Sequence, residues 1–272
     1  MFTDLRHRLV PSLAAGLLCL GLFAPLAAEA TDPPDRDPSA HAKPALVAPQ
    51  GTPPADSLAL DLQSARVRHL DDLDLLVFEI EVAGRAGASV PTARGRLDGA
   101  PVLGYVFPTN LEPAAVGFRA GDGIVALAVT SHPDFDDTPL WDENGNTRYD
   151  DDGVVYHTHW VVLVPDARVA GGLAVAEIAE SAIAEVLPPT HPGMPMLMDS
   201  PGFSVVLRGA TLRVLVPVAR AGGADFPFAG FRFDAVTAYM EVGPGPERPM
   251  LGVYQVYDVL SGDLSLPFAL SR

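Results

Sequence analysis

The chain reads as an all-β protein: a β-sandwich-like domain with long decorated loops and at most one short helix. Three observations predict this. Short apolar runs, several of them alternating, recur from residue 57 to residue 259. Gly, Pro and Asp cluster in the gaps, as turn formers do between strands. Only one stretch shows helical spacing.

The elements follow in order. Residues 57–63 alternate, with Leu58, Leu60 and Leu62 on one side. Residues 75–82, Leu-Leu-Val-Phe-Glu-Ile-Glu-Val, end in alternation. Residues 124–130 form an apolar run between Asp122-Gly123 and Ser131-His132-Pro133, and residues 154–164 form another. Residues 203–207, 211–218, 231–242 and 251–259 complete the predicted strands. The helix candidate is 174–186, with Val175, Ile178, Ala182 and Val186 at helical spacing; the same stretch also reads as a strand beginning at Gly172.

The ends carry different signals. Residues 1–30 have the form of a secretory leader, with basic Arg6 and Arg8, an apolar stretch over 13–26, and small residues at Ala28 and Ala30. Cleavage after Ala30 is expected, which places the protein in the periplasm, outside the cell or on its surface. Residues 31–55 are rich in proline and short of large apolar groups, as in a disordered or extended spacer. Residues 56–272 then form a single β-rich domain. The only cysteine, Cys19, lies in the leader, so the remaining chain has no thiol for a disulfide, a thiolate metal site or a cysteine nucleophile. No later run is long and apolar enough to predict a membrane span. The net charge of −16 disfavours nucleic acid and anionic membranes as partners and favours metal ions.

Residues 131–160 concentrate the chemistry. This window holds three of the seven histidines, eight carboxylates and both tryptophans. His157 and His159 lie two residues apart in a strand-like run, which puts both side chains on one face with β-carbons roughly 6–7 Å apart. That separation lets two imidazoles share a metal. His132, at the end of the preceding predicted strand, is the natural third ligand. Neutral imidazoles suit copper, zinc, iron and nickel. Against this stands the plainer reading of two edge-strand histidines with no metal.

The gap between the two strands is longer than hairpin chemistry needs, and loops of that length tend to be functional or disordered. Asp142, Asn144, Asn146 and Asp150 take the oxygen-ligand positions of half a calcium loop, with Asp152 as a further carboxylate. Thr147 stands where the turn glycine of that pattern belongs, and Gly153 where its bidentate glutamate belongs. A solvated acidic loop is the competing reading. Met194, Met196 and Met198 alternate beside His191; they read as a methionine-lined buried segment ahead of a thioether copper site. Phe226, Phe228, Phe231 and Phe233 read as core. No Gly-x-Ser-x-Gly elbow, phosphate loop, His-Glu-x-x-His or dinucleotide fingerprint is present.

On His132 and His157-Thr-His159, together with a leader followed by a β domain, the chain resembles the MopE/CorA group of exported copper-binding proteins of methane-oxidising bacteria. The resemblance implies copper on those three histidines, an accompanying calcium site and a mainly β architecture. In that group a tryptophan two residues before the upstream histidine can be oxidised to kynurenine and join the metal. Here that position is Thr130, and neither Trp141 nor Trp160 matches it.

The expectation is therefore an exported, non-enzymatic metal-binding protein: copper, or zinc, on three histidines, with a calcium-ordered acidic loop. Two alternatives use the same residues. One is a calcium-stabilised structural or adhesion module of the cell envelope. The other is a secreted metalloenzyme with an open position on the metal and Asp134 or Asp136 as acid or base.

Overall fold

The computed structural model describes residues 46, 48–55, 57–92, 97–132, 147 and 154–271. They belong to one compact unit, Lys43–Arg272. The expected leader and most of the expected spacer lie outside the described residues. The strands in chain order are β1 (Leu62–Leu70), β2 (Leu75–Val82), β3 (Pro101–Pro108), β4 (Ile124–Ser131), β5 (His157–Pro165), β6 (Leu173–Val175), β7 (Met198–Asp199), β8 (Ser204–Arg208), β9 (Thr211–Pro217), β10 (Arg232–Phe233), β11 (Val236–Val242), β12 (Leu251–Val259) and β13 (Phe268–Ala269). Among the described residues, the single α-helix, Ile183–Val186, extends a tighter turn at Glu180–Ala182. The protein is all-β with at most one short helix, as its sequence predicts.

The strands form two main layers. One is an antiparallel sheet in the order β1-β2-β9-β8. The other runs β4-β3-β11-β12-β6-β5-β7, and β4 also pairs with β5. That extra pairing closes six strands into a barrel, where an open second sheet of a sandwich would leave two edges. Closure removes exposed edge groups. Two bulges in the β11–β12 pairing help to bend the sheet round. They skip Tyr257 and Tyr254, so that Val236, Ala238 and Met240 oppose Val259, Val256 and Val253. Each bulge thus keeps the valines pointing into the lumen and sends the tyrosines outward.

Side-chain alternation along the barrel strands produces two cores. Outward residues such as Tyr105, Phe107, Leu127, Trp160 and Tyr239 pack against Leu76, Phe78, Ile80 and Val214 of the four-stranded sheet. Phe78 meets Phe107 edge-on at 5.3 Å and Trp160 at 6.4 Å between ring centroids. Inward residues such as Val106, Ala126, Ala128, Val161, Ala238 and Val253 form a second cluster inside the barrel. A six-stranded barrel has a narrow interior, which is why small residues line it. Gly104 is the extreme case, since a β-carbon there would lie 2.9 Å from Met240 Cε.

Local departures from the predicted elements have local causes. The strand expected over 57–63 begins only at Leu62, because a Leu60 N–H to Ser57 carbonyl bond closes a turn first. Strand β3 was not expected: Pro-Val-Leu-Gly-Tyr-Val-Phe-Pro is buried on both faces and so shows no alternation. Residues 174–186 divide, with Leu173–Val175 joining the barrel and only the end turning helical. Gln50 and Gly51, near the end of the proline-rich stretch, donate their backbone N–H groups to the buried Glu241 carboxylate at 2.7 Å each.

Candidate metal centre

The three histidines converge inside the barrel. Thr130 pairs with His157, and Ala128 with His159, across the β4–β5 ladder. His157, His159, Val161 and Leu163 share one parity of β5, and Val161 and Leu163 belong to the lumen cluster. The histidines therefore point into the lumen, while Thr158, Trp160 and Val162 point the other way. His132 follows β4 with the lumen parity of Ala128 and Thr130. The structure brings all three together: His132, His157 and His159 are each no more than 3% exposed. Ring centroids stand 4.7 Å apart for His132–His157, 4.8 Å for His157–His159 and 6.1 Å for His132–His159.

Hydrogen bonds orient the rings. His157 Nδ1 lies 2.6 Å from the Val155 carbonyl, which can only accept, so Nδ1 carries the proton and Nε2 presents a lone pair. His132 Nε2 sits 2.9 Å from that atom, and with the His132 proton on Nδ1 both nitrogens offer lone pairs to the same space. His159 Nδ1 lies 2.9 Å from Ser200 Oγ, which leaves its Nε2 as the nitrogen to offer a metal. Metal-binding imidazoles are commonly held in this way, one ring nitrogen fixed by an oxygen and the other turned to the ion. Burial, followed by the neighbouring His157 and His132, pushes the His159 pKa well below its usual value, against a hydrogen bond to the Asp199 backbone. The ring is therefore held neutral, the form that ligates metals.

The geometry suits one ion. A ligand nitrogen from each histidine lies within 4.8 Å of the other two. Two nitrogens bound to one zinc or copper at about 2.0–2.1 Å stand roughly 3–3.5 Å apart, so a pair at the 4.8 Å limit closes by about 1.3–1.8 Å. Three nitrogens leave a fourth position for a further ligand. The three buried histidines could thus hold a metal ion.

The remaining sequence-based candidates fall elsewhere. Asp142, Asn144, Asn146, Asp150 and Asp152, the expected calcium ligands, lie outside the described residues, as do Asp134, Asp136 and Trp141. Trp160 packs edge-on against Phe78 and Phe203 on the far face of β5. Met194, Met196 and Met198 line the lumen, two of them fully buried. Phe226, Phe231 and Phe233 are core, while Phe228 is 40% exposed. Two further carboxylates, the buried Glu79 and Glu241, are held by arginines, Glu79 by Arg66 and Arg213 and Glu241 by Arg248. Val155 and Ser200 were not foreseen as ring-orienting groups. Ser200 lies far along the chain from His159 and comes near only because β7 pairs with β5.

Comparisons with protein-family models, with curated proteins and with solved structures give no significant match. Fold and site together define an all-β protein with a closed six-stranded barrel and a buried three-histidine cluster of metal-binding geometry.

Proposed function

We propose that this chain is an exported, non-enzymatic metal-binding protein whose His132, His157 and His159 hold copper, with zinc as the competitor for the same ligands. The observation that carries the reading is the convergence of three buried imidazoles with two of the rings oriented through their second nitrogens. An all-nitrogen, thiol-free set accommodates both metals, and the general affinity order favours copper. Export follows from the leader-like residues 1–30, and a calcium-ordered loop from Asp142, Asn144, Asn146, Asp150 and Asp152. The resemblance to the exported copper-binding proteins of methane-oxidising bacteria points the same way.

The test is Cu(I) competition against a chromophoric chelator, with element analysis, on wild type and on His157→Ala/His159→Ala. Wild type is expected to hold one copper per chain and the double variant none. Equal binding by both proteins would overturn the assignment. In the same assay, chelating calcium should weaken copper binding, because the loop that joins the ligand-bearing strands loses a ligand that stabilises it.

A further inference from the structure

The lumen of the barrel is not completely filled. A cavity of about 80 Å³ runs between inward-facing side chains including Val106, Ala128, Met196 and Met240, and His132 and His159 form part of its wall. Its lining is almost entirely apolar. An apolar cavity of about 150 Å³ stays dry and takes up benzene or xenon; one about half that size suits smaller guests. Among the described residues, the one polar side chain besides the two histidines on this wall is that of Thr130. Thr130 is 3% exposed, and its Oγ1 has no hydrogen-bond partner among the described residues. Buried hydroxyls are nearly always paired, so an orphan beside a candidate metal centre asks for a ligand atom.

Two further lining residues, both half-buried, are unusual in another way. Leu264 and Leu266 line the lumen, and both adopt left-handed backbone conformations, with φ of 59° and 52°. Bulky residues rarely do so, because the β-carbon crowds the backbone. The turn is held by Ser261, whose hydroxyl accepts the N–H groups of Asp263 and Leu264 and donates to Asp234. The chain thus maintains strain in order to keep two leucines against the lumen.

We propose that the lumen is an apolar chamber that delivers one small, neutral, apolar molecule of two or three heavy atoms, dioxygen in type, to the open position of the metal, where the Thr130 hydroxyl donates a hydrogen bond to it. The inference rests on the three-histidine metal reading above. It involves binding only, with no bond made or broken in the guest.

Carbon monoxide is the probe. It is titrated into Cu(I)-loaded protein while the C–O stretch is followed by infrared spectroscopy and copper is counted in parallel. Wild type should bind one carbon monoxide per copper. Thr130→Val keeps the shape but removes the donor; it should move the band to higher wavenumber and weaken carbon monoxide binding about threefold, with copper retained. Ala128→Leu fills the lumen beside His159 and should weaken carbon monoxide binding about tenfold with copper retained. Stoichiometric copper with no carbon monoxide band in wild type would overturn this inference alone. So would Thr130→Val matching wild type in both band and affinity, a result that does not depend on how the larger Ala128→Leu side chain is accommodated. Wild type that takes up no copper would overturn the metal reading, and this inference with it.

Discussion

The two cores of this protein are built from different residues. Between the four-stranded sheet and the barrel, Phe78, Phe107, Trp160 and Phe231 interlock edge-on, with Phe233 stacked on Phe231. Inside the barrel, among the described residues, no aromatic ring other than imidazole lines the wall, and a cavity remains. Rings bury large areas and pack with defined geometry, so the first core holds the layers together. Valines, alanines and methionines leave space, so the second core can surround a ligand. Stability and chemistry are divided between the two faces of the same strands.

That division can be tested by substitution. The largest effect is expected from Phe78→Ala, which removes a fully buried ring from the aromatic layer; urea unfolding should show a loss of about 3–5 kcal/mol. Met240→Ala, in the lumen, should cost less, about 2 kcal/mol in the same assay, because it widens space that already exists. A larger loss for Met240→Ala than for Phe78→Ala would show that the lumen, and not the aromatic layer, holds the fold.

The smallest effect is expected outside both cores. Arg168 bonds Asp166 through its guanidinium, most closely at 2.6 Å, and holds the carboxyl below the usual carboxylate range. A depressed carboxyl pKa stabilises the fold above the ordinary carboxylate pKa, and the contribution fades as pH falls through the depressed value. Both side chains are partly exposed, so Asp166→Asn should cost less than about 1 kcal/mol at neutral pH. Thermal melts of variant and wild type should converge in strong acid; a gap that persists there would show that Asp166 acts through packing instead of charge.

Much of this arrangement was legible in the sequence, and what was not has a physical reason. His157 and His159 could be placed on one face from spacing alone, because strand parity is a local property. That this face looks into a barrel could not be read from Val161 and Leu163, since β5 is apolar on both sides and gives no direction. Closure of the barrel depends on β3, which burial on both faces hid, and on the β4–β5 pairing. Ser200 and Val155 orient the imidazoles through pairings and backbone groups that no motif records. Thr130 was visible as a departure from a resembling pattern; only the lumen shows what its hydroxyl faces.

The alternation along β5 has a consequence for folding fidelity. His157 and His159 occupy one parity, and Thr158 and Trp160 the other. A slip of one residue in the β4–β5 register would send the indole into a space made for small aliphatic groups and strand the imidazoles among phenyl rings. Neither core would tolerate the exchange. The ladder therefore proofreads itself: a chain whose aromatic layer has closed correctly has, by the same step, gathered its three histidines in the lumen.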